Sequence, residues 1–393
     1  MTQTIRRAFR CLKELLAMLI FRPLGAVFRT FCPAYQHVWL VAERGTDARD
    51  NGYWFYRWLR TEHPELSSYY VITADSPDVD KIITLGGAVQ RGSFRHYLLY
   101  YCADYLVGTH VQPCAPDLIL YYHLASKGIR ARGKHVFLQH GVIMSEMQWM
   151  HRENLYLDMF VCGAKPEYDY IRDTYGFTPN VPQYVGLARW DNLLHVGCQN
   201  PPQKMILIMP TWRGSHYPDG DAFVDTPYYK TFQSLLCSQK LKQLLETYGY
   251  SLIFYPHVEM QKHLSYFRTS SERIILADKS MYDVQQLLMD CSLLITDHSS
   301  VFFDVAFLEK PELYYQFDEE DYQRYHYQKG YFDFRRDGFG PVCADEETLL
   351  QELEHCLQNG MQMPLEYKTR TAAFFPLRDM QNCQRTYDAI RSL

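Results

Sequence analysis

Short apolar runs alternate along this chain with stretches of helical periodicity, and that alternation limits the fold more than any other feature. Strands are expected at His37–Ala42, Tyr69–Thr73, Tyr105–Val107, His135–Leu138, Met159–Cys162 and Gln183–Val185. A second series follows at Met205–Met209, Leu252–Tyr255, Ile274–Leu276, Leu293–Thr296 and Glu312–Tyr315. Helical stretches such as Tyr228–Thr247 and Tyr282–Met289 lie between them. Strand–helix alternation predicts parallel sheets covered by helices on both faces. The turn Asn200-Pro201-Pro202 separates the two series and reads as a linker. The expected fold class is α/β, with two doubly wound Rossmann-type domains facing a cleft. Their boundaries are 32–199 and 200–375, followed by a C-terminal helix at 376–393 set to pack back across the domains.

The N-terminal segment, 1–31, is set apart by charge: Arg6, Arg7, Arg10, Lys13, Arg22 and Arg29 stand against a single acid, Glu14. Its longest uncharged run, Leu15–Phe21, is too short to span a bilayer, which takes about 20 apolar residues. No small-residue cleavage pattern follows, so a signal peptide is not expected. A basic amphipathic helix lying on an anionic inner leaflet is the expectation, with a helix packed on the protein's own surface as the alternative. Elsewhere the net charge of −5 gives no footprint for nucleic acid. The 11 cysteines are scattered without a C-x-x-C pair, which argues against a disulfide framework or a thiolate zinc site and for a reducing, cytosolic compartment. The 32 tyrosines suit a polyol-binding cleft and ordinary half-buried packing alike.

In open α/β sheets ligands bind beyond the carboxyl ends of the strands, and the notable polar residues fall there. The run to Leu138 continues into Gln139-His140-Gly141, and the run to Tyr255 into Pro256-His257. Thr296 leads to Asp297-His298-Ser299-Ser300 and a helix beginning near Val301. Two hydroxyls at a helix start can bind an anion with help from the backbone amides, though serine there more commonly caps the helix. His140, beside a glycine where the backbone turns sharply, can take a proton from an attacking hydroxyl, and His257 can stabilise charge on a phosphate. Arg213, in Pro210-Thr211-Trp212-Arg213, is placed to fork onto a phosphate or to form an ordinary ion pair.

Taken in order, Gln139-His140-Gly141, Gly186-Leu187-Ala188-Arg189-Trp190-Asp191, Met209–Arg213, Tyr255-Pro256-His257 and Asp290–Asp304 resemble the CDP-glycerol glycerophosphotransferase family, enzymes of teichoic-acid and capsule polymers. Lys310-Pro311, Tyr314, Asp318 to Tyr322, Gly330-Tyr331-Phe332 and Gly340-Pro341 extend the likeness, which covers roughly 37–390. The resemblance implies a GT-B-like fold with an acceptor-side N-terminal domain and a CDP-donor site in the C-terminal one. It also implies a transferase that moves glycerol phosphate to a hydroxyl of a surface polymer or its lipid-linked primer and releases CMP. Carried over residue by residue, it makes His140 the base and His257 the donor-side histidine, with Ser299 and Ser300 on the diphosphate and Asp297 and Asp304 organising their loop. Gly141, Thr211 and Arg213 complete the expected substrate contacts, and Asp379, Asn382 and Arg385 resemble the family's closing pattern. Three departures stand out: Val142 where threonine is common, His298 for the usual tyrosine, and Cys383 for a serine. The expected partners are a CDP-glycerol or CDP-ribitol donor, a lipid-linked glycan or polymer acceptor and the inner face of the cytoplasmic membrane. A homo-oligomer is left open, and no nucleic acid, cofactor or tightly bound metal is expected. A nucleotide-sugar glycosyltransferase and an inactive membrane scaffold are the rival readings.

Overall fold

A computed structural model of the chain describes residues 3–118, 130–213, 217, 218, 220–325 and 328–393. The first two residues of the N-terminal segment lie outside them. The chain forms two compact units, each built on a parallel sheet: Met1–His140, Trp149–Asn192 and Asp379–Leu393 make one, and Gly141–Gln148 with Leu193–Arg378 make the other. The changeover at Asn192 falls inside the helix Arg189–Gln199, and Asn200-Pro201-Pro202 is where that helix stops. Proline can neither donate to a further helical turn nor let its predecessor remain helical.

In the first unit the strands are β1 (Trp39–Ala42), β2 (Ser68–Ile72), β3 (Ala88–Gln90), β4 (Tyr105–Gly108), β5 (Lys134–Phe137), β6 (Met159–Cys162) and β7 (Pro182–Tyr184). They pair in the order β3-β2-β1-β4-β5-β6-β7, every pair parallel. The second unit holds β8 (Met205–Ile208), β9 (Ser251–Phe254), β10 (Ile274–Leu276), β11 (Leu293–Thr296), β12 (Glu312–Tyr315) and β13 (Val342–Cys343), in the order β10-β9-β8-β11-β12-β13, again all parallel. In each sheet the first strand lies centrally and the winding reverses beside it, the doubly wound Rossmann arrangement. Strands such as Trp39-Leu40-Val41-Ala42 and Met205-Ile206-Leu207-Ile208 are buried at every position, as a sheet covered on both faces requires.

Two features depart from the sequence reading. The edge strands β3 and β13 are short and carry no apolar run, so periodicity does not mark them. The stretch 228–247 is two helices, Pro227–Cys237 and Gln239–Tyr248, parted at Ser238, whose hydroxyl accepts the Leu241 amide and caps the second.

The N-terminal helix Gln3–Phe31 has two unlike faces. Met18, Phe21, Leu24 and Phe28 pack on the core beside the helix Phe94–Cys102, with Phe21 stacked 5.1 Å from Tyr97. Glu14, its one acid, is buried and accepts the Tyr97 hydroxyl at 2.5 Å. On the opposite side Ile5, Phe9, Leu12, Leu16, Leu19, Ile20 and Val27 form an exposed apolar stripe. Among the described residues no helix is long and apolar enough to cross a membrane.

The C-terminal helix Asn382–Arg391 is fastened to the first unit by one carboxylate. Asp191 accepts the Asn382 amide at 2.9 Å, the Asn382 side-chain amide at 2.7 Å and the Cys383 amide at 2.8 Å. Gly186 (φ +80°) must be glycine, since a Cβ there would sit 1.8 Å from Asn382 Oδ1. Replacing Asp191 with alanine leaves three donors without their acceptor and should cost about 2 kcal/mol in chemical denaturation. Asp379→Ala, which removes a half-exposed partner of Arg385, should cost less than about 1 kcal/mol.

Candidate active site

The first unit gathers its polar groups at the ends of β1, β4 and β5, on both sides of the strand reversal. His140 follows β5, and the sharp backbone turn expected at Gly141 falls instead at Gln139, whose φ is +63°. That conformation disfavours an ordinary side chain, but this one is anchored: Gln139 is buried and donates to the Val161 carbonyl and to Glu167 Oε1. Asn51 spans the same turn, donating to the Gln139 carbonyl at 2.9 Å and accepting the Arg189 amide at 3.0 Å. His140 is thereby presented with its side chain 64 % exposed.

Asp50 holds the imidazole. One of its oxygens meets His140 Nδ1, and the other takes the Arg189 guanidinium at 2.9 Å; Arg189 also donates to the His140 carbonyl at 2.6 Å. Burial alone would raise the Asp50 carboxyl, but His140 and Arg189 outweigh it and hold it down to about 2. With Nδ1 engaged by a carboxylate, Nε2 is the nitrogen left to exchange a proton. Beneath this loop Glu43, at the end of β1, accepts the amides of Arg49, Asp50 and Tyr53. Burial, with the Asp50 charge adding to it, pushes the Glu43 carboxyl up to about 8. His110, at the end of β4, lies 5.6 Å from His140 ring to ring. Its Nε2 accepts from Arg44 at 3.1 Å and its Nδ1 meets the Thr109 hydroxyl at 3.0 Å. Burial, with His140 and Arg44 nearby, lowers its pKa to about 4, so the ring is neutral.

The second unit does the same at the ends of β8, β9 and β11, which are neighbours in its sheet. The loop after β8 binds the other two: Pro210 accepts the His257 amide at 3.2 Å, and the Thr211 amide reaches Asp297 Oδ1 at 2.8 Å. His257 is half-buried, its ring 6.1 Å from Trp212 and close to parallel with it. Its Nδ1 accepts the Glu259 amide at 3.2 Å, which places the ring's own proton on Nε2. The two histidines are thus held in opposite tautomers, one by a carboxylate and the other by an amide.

Ser299 and Ser300 are half-buried, and neither hydroxyl makes a hydrogen bond among the described residues. The helix Phe302–Phe307 has Val301 at its cap without a side-chain bond, so these serines do not serve as caps. Asp297 organises their loop, its Oδ1 accepting both the Thr211 and His298 amides, and Asp304 is buried below. His298 lies flat on Tyr322 at 3.8 Å. Together with Gln316, Glu319, Lys329 and Phe334 they line a cavity of about 200 Å³. Gly330 closes it, where a Cβ would meet the Met144 carbonyl at 2.4 Å.

Arg213 departs from the reading that gave it to a phosphate. It is 3 % exposed, forks onto Asp318 at 2.7 and 3.0 Å, pairs with Asp297 at 2.7 Å and donates to the Thr211 carbonyl at 3.0 Å. Although burial opposes its charge, the two aspartates hold it ionised, and the guanidinium is used up in joining the ends of β8, β11 and β12. Arg385 likewise pairs with Asp379 at 2.9 Å and donates to the Val185 carbonyl at 3.1 Å, so both residues anchor the C-terminal helix in the first unit. Asp50, Glu43 and His110 are absent from the sequence reading. The signal that could have found Glu43 and His110 is the rule that found His140, a polar residue just past a strand; Asp50 carries only its place as the cap of the helix Asn51–Glu62.

Two doubly wound α/β units with polar strand exits define a GT-B-like fold, and the comparisons agree. The chain aligns over all its residues with the structure of the wall teichoic acid polymerase TagF, covering 98 % of it with a TM-score of 0.65 at 18 % identity. A profile of the CDP-glycerol:poly(glycerophosphate) glycerophosphotransferase family matches residues 192–392, and the chain belongs to that family. It is 28 % identical over 369 residues to the minor teichoic acid biosynthesis protein GgaB of Bacillus subtilis strain 168, covering 91 % of this chain and 40 % of that one. It is 31 % identical over 153 residues to the teichoic acid ribitol-phosphate primase of Bacillus spizizenii, covering 39 % of this chain and 35 % of that one. The chain thus spans about two fifths or less of the length of these relatives.

Asp50 gives the first unit a pH signature. Its carboxyl titrates at about 2 in the folded chain against an ordinary 3.8, so its contribution is present above about pH 4 and lost as pH falls toward 2. Asp50→Asn should be less stable than the parent by about 2 kcal/mol at pH 6. Denaturation curves at pH 6, 4 and 2.5 should show that gap closing at the acid end.

Proposed function

We propose that the chain transfers glycerol phosphate from CDP-glycerol to a terminal hydroxyl of a surface polymer or its lipid-linked primer, releasing CMP. The family's own description supports this donor and acceptor, and the carrying observation is the pair of opposite tautomers. His140, gripped through Nδ1 by Asp50, takes the proton of the acceptor hydroxyl on Nε2. The hydroxyl oxygen bonds to the β-phosphorus as the bond from that phosphorus to the bridging diphosphate oxygen breaks, and CMP leaves with the bonding electrons. His257 donates from Nε2 toward a phosphate oxygen, and the unbonded hydroxyls of Ser299 and Ser300 serve the same group. Gly141 follows His140 in sequence, the Thr211 amide bonds Asp297, and Asp297 and Asp304 keep the serine loop in place. Positioning and charge stabilisation of this kind carry most of the barrier reduction in phosphoryl transfer.

His140→Ala should lower CMP release by about two to four orders of magnitude with the fold intact by circular dichroism. Near-parental release would reject His140 as the base. A donor panel of CDP-glycerol, CDP-ribitol and a UDP-sugar tests the reaction itself. Because the ribitol-phosphate primase is among the relatives, CDP-ribitol is the second reading, and CMP from that donor alone would replace the first. Appearance of UDP would move the chain to sugar transfer, and no binding of any donor would leave the scaffold reading.

The N-terminal helix supports a site of action at a membrane surface. Its exposed stripe of Phe9, Leu12, Leu16 and Leu19 is accompanied by the exposed Arg6, Lys13 and Arg22, which suits the interface of an anionic inner leaflet. The proposed location is therefore the cytoplasmic side of the membrane, peripherally bound. In flotation assays the chain should rise with anionic vesicles and much less with neutral ones. Leu16→Glu with Leu19→Glu should abolish flotation while the melting profile persists.

A further inference from the structure

Three arginines stand near His140 in the first unit, and their surroundings differ. Arg189 is neutralised by Asp50 at 2.9 Å and Arg49 by Asp78 at 2.7 Å. Arg44 is exposed and has no carboxylate partner among the described residues. Of the acids beside it in sequence, Glu43 accepts the Arg49, Asp50 and Tyr53 amides, and the Asp47 carboxylate accepts the Arg44 backbone amide at 3.2 Å. A lone surface arginine ordinarily sweeps through many rotamers, but this one is steered. Its Nε donates to His110 Nε2 at 3.1 Å, which leaves its two terminal nitrogens without a hydrogen bond among the described residues. His110 can receive that bond because it is neutral, and the Thr109 hydroxyl, at 3.0 Å from Nδ1, fixes its other nitrogen.

The backbone beneath is stapled as well. Arg91 donates to the Arg44 carbonyl at 3.0 Å and to the Pro113 carbonyl at 3.2 Å, joining the loop after β1 to the loop after β4. Gly45 (φ +86°) makes room for it, since a Cβ there would lie 1.9 Å from the Arg91 guanidinium. Arg91 too lacks a carboxylate partner among the described residues, so a second uncompensated cation underlies the first. From Arg44 to His140 there are two steps, 3.1 Å to the His110 ring nitrogen and 5.6 Å between the His110 and His140 rings.

We propose that Arg44, aimed by His110, binds the phosphodiester next to the acceptor's terminal hydroxyl and so selects acceptors that already end in a polyol phosphate. This rests on the glycerophosphotransferase reading and adds to it a specificity residue on the acceptor side. In a polyol phosphate end the reacting hydroxyl and its own phosphate are joined through the carbons of one unit, a span suited to a hydroxyl at His140 with its phosphate on the Arg44 fork. A guanidinium matches a phosphate in two parallel hydrogen bonds, which lysine cannot copy.

The test has a binding arm and a turnover arm, both run on the full chain. A synthetic glycerol phosphate dimer and plain glycerol are titrated by calorimetry or NMR into the parent, Arg44→Gln and Arg44→Lys, without donor. The dimer should bind the parent, weaken as salt rises from 50 to about 300 mM, and bind Arg44→Gln at least ten-fold more weakly. Arg44→Lys should fall between, and matched melting curves exclude a folding defect. With CDP-glycerol present, the ratio of kcat/KM for the dimer over glycerol should drop at least ten-fold in Arg44→Gln. Equal dimer affinity in parent and Arg44→Gln, or no dimer binding by the parent, overturns the proposal. If no CMP forms with any acceptor, the transferase reading fails, and the binding arm still decides the role of Arg44.

Discussion

A parallel sheet covered on both faces offers a polar side chain almost no place except beyond the ends of its strands. Along the strands the cost of burying an unpaired charge is several kcal/mol, and the burial pattern here complies: β1, β6, β8 and β11 are covered at every residue. Polar chemistry is therefore pushed to the carboxyl ends, where helix starts and loop amides can meet it. Where the winding reverses beside β1 and beside β8, the loops part and leave room. Glu43, His110 and His140 stand at one such edge, and Thr211, His257 and Ser299 at the other. Each polar group named here either pairs within its own edge or is left with a nitrogen or hydroxyl to offer.

The buried ion pairs separate support from chemistry. Arg213 is committed to Asp297 and Asp318, and removing one member of such a group costs about 3–5 kcal/mol because a charge is stranded. That commitment keeps the loops after β8, β11 and β12 in register, so the Ser299–Ser300 turn is held by charges that do not themselves need a substrate. In the first unit Asp50 has the comparable position but a different outcome, because one of its two partners is an exposed imidazole rather than a buried guanidinium. An ion pair that ends in a titratable, exposed ring can pass a proton; one sealed between two aspartates cannot.

Much of this was legible in the chain itself. The bounds of β6, β10, β11 and β12 coincide with apolar runs, because a buried parallel strand needs four or so such residues in succession. His140, His257 and the serine pair could be found because strand ends are visible in sequence. What could not be read depends on partners distant along the chain. Asp50 meets His140 across 90 residues and Arg213 meets Asp318 across 105, and no local pattern announces either. Arginine at a strand exit reads the same whether it is buried against two acids or open to a phosphate. The break at Ser238 was missed for a related reason, since the apolar positions on both sides keep helical spacing while the turn is set by one capping hydroxyl.

The same pairing logic gives Arg44 its weight. An exposed arginine by itself says little, since most are solvated and mobile. Around His140, however, Arg49 and Arg189 each receive a carboxylate, from Asp78 and Asp50, while the Arg91 staple is made to carbonyl oxygens. Arg44 receives a neutral imidazole instead, which orients its side chain without cancelling its charge. The Arg91 staple, for which Gly45 makes room, fixes the Arg44 backbone beneath that side chain. Such an arrangement is consistent with a counter-ion that arrives with the ligand, and an acceptor that carries a phosphate one unit behind its reactive hydroxyl would bring it.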